Sequence, residues 1–294
     1  MSNNQLLDTQ FLYQIEKLAV INKRIKKGLY SGKRKSKNQG SSVEFADYRS
    51  YTPGDDYRLI DWNTYARHEK LFLKTYYDEQ ELNVSIYIDS SKSMDFGKPG
   101  KFHTAVKIAA ALAYLSLNNY DRVSVYSFDN MISQALPLLT GKGKVHQLFN
   151  FLNGLKPGNE GNLNQALANG SATHGRPGIS IIISDFLFEE GYEKGIGYIQ
   201  AANQEVILVQ LLSTEENEPY LEGDLRLVDS EYGSKREISV TPYLLKKYHT
   251  ALKDYKKKLA EFAHKRGITY VNIDAETSIE QIIFNVFKRS GLLR

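Results

Sequence analysis

The sequence predicts an α/β protein organised around a doubly wound, mostly parallel six-stranded sheet. Three observations carry this. Short β-branched apolar runs alternate with longer segments whose apolar residues recur every three or four positions. That alternation implies right-handed βαβ units. One run, residues 178–184 (Gly-Ile-Ser-Ile-Ile-Ile-Ser), is apolar almost throughout, as expected of a strand covered on both faces. Finally, the chain has 294 residues, 41% of them hydrophobic, and no Cys. It can bury a sizeable core, and disulfides and thiolate metal sites are excluded.

Residues 8–27 read as an amphipathic helix with Phe11, Ile15, Leu18 and Ile25 on one face. Cations in its last turn and Gly28 as a stop complete the pattern. Between Lys23 and Lys37 eight Lys and Arg residues occur with no acid, in a chain whose net charge is +4. The polar, basic stretch 31–42 reads as a loop. Residues 44–77 then mix Tyr48, Tyr51, Ile60 and Trp62 with alternating acids and arginines around the turn Pro53-Gly54-Asp55-Asp56. Arg49, Arg58 and Arg67 are expected to pair with Asp47, Asp55, Asp56 or Asp61 and to hold a small β-rich subdomain, with Trp62 buried. Residues 1–80 therefore read as an N-terminal helix, basic loop and subdomain, and residues 81–294 as the main domain.

In the main domain strands are expected at 83–89, 122–128, 178–184, 205–211 and 268–273, with 131–136 an antiparallel edge partner. Residues 83–89 should be central. Helices are expected at 101–118, 144–152, 161–168, 192–202 and 279–287. A hairpin inserts at about 213–241, and Thr241-Pro242 begins a long helix, Thr as N-cap and Pro at the first position.

The strand 83–89 ends in Asp89-Ser90-Ser91-Lys92-Ser93, an aspartate and two hydroxyls on alternate residues. Open α/β sheets bind ligands outside the carboxyl ends of their strands, and hard cations such as Mg²⁺ take oxygen ligands. Ser and Asp also cap helices, so the motif alone admits both readings. The Gly161–Asn164 loop and Asp185, which follows the isoleucine strand, offer oxygens at the same end.

This layout resembles a von Willebrand factor A domain, whose metal-ion-dependent adhesion site uses D-x-S-x-S, a Thr from a second loop and an Asp from a third. Asp89, Ser91 and Ser93 match the first motif and Asp185 the third. Asn162 stands at the Thr position, and its amide carbonyl can also ligate a hard cation. A longer string makes the likeness more specific: Glu44-Phe-Ala-Asp-Tyr-Arg-Ser-Tyr-Thr-Pro-Gly-Asp-Asp-Tyr-Arg-Leu-Ile-Asp-Trp62, with Asp89-Ser-Ser-Lys-Ser-Met94. It resembles the bacterial domain-of-unknown-function family 58, a set of von Willebrand factor A-like proteins. The resemblance implies a non-catalytic module that binds a divalent cation, Mg²⁺ or alternatively Mn²⁺, through Asp89, Ser91, Ser93, Asn162 and Asp185. It implies partners too: a MoxR-type AAA+ ATPase and a client protein offering an acidic residue, in the assembly or maturation of other proteins.

Other functions are less well served. A phosphatase or hydrolase using Asp89 would want a second Asp two residues on, or a Gly-x-Ser-x-Gly elbow, and neither is present. His103, His146 and His174 are scattered. Nucleic-acid binding through the basic 23–37 segment is the runner-up, since basic patches attract phosphates. The N-terminus lacks the pattern of a signal peptide, and no apolar run reaches membrane-spanning length. The expected location is the cytoplasm.

Overall fold

The computed structural model describes residues 6–16, 18, 20, 45–76, 82–168, 177–228 and 235–293. The chain divides into two compact units, residues 28–81 and the remainder. The N-terminal helix, α1 (Thr9–Ile15), belongs to the larger unit, which corrects the division at residue 80. The reason is packing: Phe11 and Ile15 enter the main core, and Tyr114 and Asn118 hydrogen-bond to Glu16. The described helix is also shorter than the expected 8–27. The basic run 23–37 lies outside the described residues.

The smaller unit pairs β1 (Phe45–Ser50) antiparallel with β2 (Phe72–Tyr76), with a 3₁₀ turn and α2 (Trp62–His68) between them. Asp61 caps α2 by accepting from the amides of Asn63 and Thr64 and also accepts from the Tyr48 hydroxyl at 2.9 Å. Of the expected ion pairs, Arg49–Asp55 forms, at 2.8 Å. Among the described residues Arg58 and Arg67 have no carboxylate partner. Trp62 is 60% exposed, against the expectation of burial. It is the first residue of a seven-residue helix that buries none of its side chains, and it packs edge-on against Tyr65.

The larger unit is built on β3 (Asn83–Asp89), followed by α3 (Lys101–Asn118), β4 (Arg122–Phe128), β5 (Ile132–Thr140), α4 (Val145–Gly154), α5 (Leu163–Ala168), β6 (Gly178–Ser184), α6 (Glu193–Ala201) and β7 (Gln204–Leu212). Next come a short α7 (Thr214–Asn217), the β8 (Gly223–Val228) and β9 (Lys235–Val240) hairpin, α8 (Pro242–Lys265) and β10 (Thr269–Asp274). The final helical segment opens with α9 (Ile279–Gln281) and continues as a π-helix through Phe287. The six main strands lie in the order β10-β7-β6-β3-β4-β5, with only β5 antiparallel. The expected six-stranded, mostly parallel sheet is present, with Asn83–Asp89 inside it.

Alternation sorts side chains to two faces. Val84, Ile86 and Ile88 join Ile179, Ile181 and Ile183 in the core beneath α3. Tyr87 and Ile182 point the other way, among residues of α5, α6 and α8. Burial on both faces is why β6 reads as a continuous apolar run. α3 buries 14 residues because the sheet, α1 and α4 surround it. By contrast α8 buries only Leu259 and Ala263. Successive connections leave β3 toward β4 and β5 but leave β6 toward β7 and β10. The order therefore reverses between β3 and β6, where open sheets form a crevice.

Candidate functional site

The crevice is lined first by the loop after β3. Asp89 and Ser91 are fully buried. Asp89 Oδ1 accepts from the Ser91 amide at 2.8 Å, and the Ser91 and Ser93 hydroxyls lie 3.0 Å apart. The backbone then makes a short 3₁₀ turn over Lys92–Asp95, which holds the alternate hydroxyls on one side of the loop.

The second loop is pinned to the first by the backbone. The Lys92 amide donates to Asn159 O at 2.9 Å and the Gly158 amide to Ser90 O. A Cβ on Gly161 would stand 2.8 Å from Ser91 Cβ, so glycine is what allows this approach. Asn162 is brought to the same edge, but its side chain is used locally. Its Oδ1 accepts from the Gln165 amide at 3.0 Å at the start of α5, and its amide donates to Glu190 at 2.8 Å.

The third contribution comes from the segment after β6. Ser184 donates to Asp89 Oδ2 at 2.6 Å and accepts from the Phe186 amide at 2.8 Å. Phe186 is buried at φ +60, a strained conformation for a bulky residue that persists only when its surroundings fix it. The fixing contacts are visible: Tyr255 donates to Phe186 O, and Gln210 donates to Asp185 O at 2.9 Å while accepting from Tyr270 and Asn272. Asp185 Oδ1 accepts from the Leu187 amide at 3.0 Å.

Electrostatics set the crevice apart. Burial pushes the Asp89 carboxyl up, and neighbouring Asp185 adds to this. Hydrogen bonds from Ser184 and Ser91 oppose it, leaving the group at about 7. Asp185 Oδ2, in contrast, holds the fully buried Lys101 ammonium at 2.7 Å, and Glu216 holds the same ammonium at 2.5 Å. Burial alone would lower the lysine's proton affinity, but Asp185 and Glu216 outweigh it and raise it. Glu216 is itself fixed by a capping box with Ser213.

The structure thus gathers Asp89, Ser91 and Ser93 into one cluster, places Asp185 beside it in a salt bridge, and turns Asn162 to helix capping. Lys101, Glu216, Gln210 and Asp129 were not singled out from sequence. Asp129 is buried at the end of β4 and accepts from the Met131 amide at 3.1 Å. Lys101 did leave a signal: a cation at the first position of a helix opposes the helix dipole unless an acid neutralises it. Gln210 left another, as an amide set between the apolar residues Val209 and Leu211 of β7. Among the described residues no three His, Cys, Asp or Glu side chains converge as a metal cluster, and no helix is long and apolar enough to cross a membrane.

Comparison with known proteins gives a family and no assigned activity. Residues 47–258 match the family described as "Protein of unknown function DUF58". The chain is 27% identical over 261 residues to the uncharacterized proteins Rv1480 of Mycobacterium tuberculosis and Mb1516 of Mycobacterium bovis, covering 86% of this chain and 82% of each relative. Similar solved structures include the conserved hypothetical protein BatB from Bacteroides thetaiotaomicron, at 16% identity and TM-score 0.41, covering 71% of this chain and 98% of that one. An aerotolerance-related membrane protein from Bacteroides fragilis matches at 16% identity and TM-score 0.43, covering 71% and 99%.

Proposed function

The chain belongs to the DUF58 family of proteins of unknown function, and from that premise we propose that it is a non-catalytic, von Willebrand factor A-like module that recognises a partner protein through a divalent cation at the β3–β6 crevice. The observation that supports this is the state of Asp89: fully buried, beside a second carboxylate and two serine hydroxyls, with its proton affinity raised. A buried carboxylate of that kind is costly unless a positive charge compensates it. Asp89, Ser91 and Ser93 fit a hard cation by oxygen type and mutual placement. Mg²⁺, or alternatively Mn²⁺, suits a set with no sulfur or imidazole. When bound, such a cation would supply positive charge that attracts a partner's carboxylate. Asp185, held by Lys101, contributes charge from behind, and Asn162 shapes the loop it caps.

The chain's own residues are arranged to hold rather than to react. Ser184 Oγ donates to Asp89 and accepts from the Phe186 amide, contacts that tie the end of β6 to the end of β3. The family resemblance supplies the partners of this reading, a MoxR-type AAA+ ATPase and a client offering an acidic side chain during assembly or maturation.

Titration calorimetry tests the reading. Mg²⁺ or Mn²⁺ gives a saturable heat with the wild-type protein, and Asp89→Ala abolishes it. Identical titrations for the two proteins overturn the metal mechanism. A second reading, favoured by the 2.7 Å Lys101–Asp185 contact, then takes its place: Lys101 is the resident cation of a metal-free crevice that binds its partner by hydrogen bonds.

A further inference from the structure

Lys101 is the first residue of α3, an 18-residue helix, and its side chain is fully buried. A cation at that position opposes the helix dipole, so it needs a counter-charge. One carboxylate would suffice, and the fold supplies two. Asp185 Oδ2 lies 2.7 Å from the ammonium and Glu216 Oε1 lies 2.5 Å from it. The second carboxylate is firmly oriented. Glu216 Oε2 accepts from the Ser213 amide at 2.8 Å and from the Ser213 hydroxyl at 3.2 Å, so each of its oxygens has its own partners. The loop that leads into α3 rests on the same serine. A Cβ on Gly97 would stand 3.0 Å from Ser213 Cβ, and Gly97 has φ +99, a conformation that favours glycine. Glycine therefore lets the start of α3 close on the start of α7, which brings Lys101 to Glu216.

The surplus acid matters because Asp185 also neighbours Asp89. Asp89 and Asp185 are buried, and the Glu216 side chain is only 16% exposed. With every group ionised, Asp89, Asp185 and Glu216 bring three negative charges and Lys101 one positive charge, a formal −2. Were Asp185 the one partner of Lys101, the ammonium would cancel it and Asp89 would be the net charge of the crevice. With Glu216 present, the ammonium is balanced from the other side, and the charge of Asp185 still acts on the crevice. Lys256 also feels Glu216, but it feels Asp274 more strongly, and that pair adds no net charge. A formal −2 in a place with little water is costly unless positive charge meets it. A divalent cation beside Asp89 meets it in full.

We infer that Glu216 is a positioning residue that sets the affinity of the crevice for a divalent cation, acting through Lys101: it balances the buried ammonium, so that Asp185 remains an uncompensated carboxylate beside Asp89. This rests on the cation reading proposed above. It gives Lys101 and Glu216 a part in that reading as counter-charges rather than ligands. Neither belongs to the D-x-S-x-S loop, and each changes the crevice by its charge alone. Removing the acid should weaken cation binding, removing the lysine should strengthen it, and removing both should leave it where it was.

The test is Mg²⁺ titration calorimetry of the full chain as wild type, E216Q, K101M and K101M/E216Q, with thermal unfolding of each in EDTA and in Mg²⁺. E216Q is expected to bind Mg²⁺ about tenfold more weakly or worse, as the loss of a unit charge within roughly 10 Å of the ion implies at an effective dielectric near 20. K101M binds Mg²⁺ more tightly than wild type, and Mg²⁺ raises its melting midpoint more, although its metal-free fold is the less stable. K101M/E216Q has the formal −2 again and returns to near the wild-type affinity. A residue that served the fold alone would not behave this way, because a second substitution beside the first would not restore binding. Wild-type affinity in E216Q, or a double variant that binds no better than E216Q, overturns the inference. If E216Q does not fold, K101M decides: an affinity at or below that of wild type overturns it. The two proposals fail distinguishably. No saturable heat from the wild type removes the cation reading and this inference with it. A wild-type heat that Asp89→Ala abolishes, and that E216Q and K101M leave unchanged, removes this inference alone.

Discussion

Two regions of the molecule combine carboxylates with cationic side chains, and they use them in opposite ways. In the unit formed by residues 28–81, Arg49 and Asp55 meet at 2.8 Å in the open, and Asp55 also accepts from the Thr52 amide and hydroxyl. These contacts hold the Asp55 carboxyl well below the usual carboxylate range, the Arg49 hydrogen bond first among them. The pair orders a turn, and water screens the remaining attraction. In the crevice, Lys101 lies between Asp185 and Glu216 with its ammonium fully buried. There the same chemistry holds two strand-end segments at fixed positions behind Asp89. Residue types alone do not separate a turn tie from a structural ion triad. Solvent does.

The widest gap between the two regions should appear on removing one cation from each. Lys101→Met leaves Asp185 buried and unpaired, and a loss of about 3–5 kcal/mol is expected from thermal or denaturant unfolding. Arg49→Ala should leave the midpoint where it is. Equal effects would erase the distinction between the buried and the exposed pair.

A second measurement sharpens the comparison inside the crevice. Burial, with neighbouring Asp185, pushes the Asp89 carboxyl up in the folded protein, to about 7, above the roughly 3.9 of an unfolded aspartate. The folded state therefore holds the proton more tightly. The resulting stability is complete below about pH 4 and is lost as pH rises to about 7. Asp89→Asn is expected to flatten that fall and to raise the metal-free midpoint at pH 8, while removing any stabilisation by Mg²⁺. In the wild type, protons compete with the cation, so the apparent Mg²⁺ affinity should drop as pH falls below 7. A pH-independent affinity would mean that Asp89 is not the ligand.

The smallest of these effects belongs to the other unit. Asp61 caps α2 and receives the Tyr48 hydroxyl, so Asp61→Ala should cost about 1–2 kcal/mol. Asp61→Asn, which keeps an acceptor oxygen, should recover most of that. Proteolysis that detects local opening of residues 45–76 reads it directly.

Most of the larger unit was legible in the chain because its signals are local. A β-branched run marks a strand wherever it lies, and the D-x-S-x-S motif falls at a strand end because both are written within eleven consecutive residues. The α3 and β6 boundaries follow from composition alone. The Thr241–Pro242 start of α8 follows from capping chemistry.

What the sequence determined, then, was periodicity, strand ends and the oxygens placed there. What the tertiary structure decided was charge state and exposure. Lys101 lies 84 residues from Asp185 and 115 from Glu216, and no local pattern joins residues that far apart. Trp62 is exposed because nothing in its short helix is covered, which depends on neighbours rather than on the residue. The side chain of Asn162 turns to Gln165 and Glu190 because α5 needs a cap there. In each case a side chain's role is set by the groups that displace water from it, and packing brings those groups from distant parts of the chain.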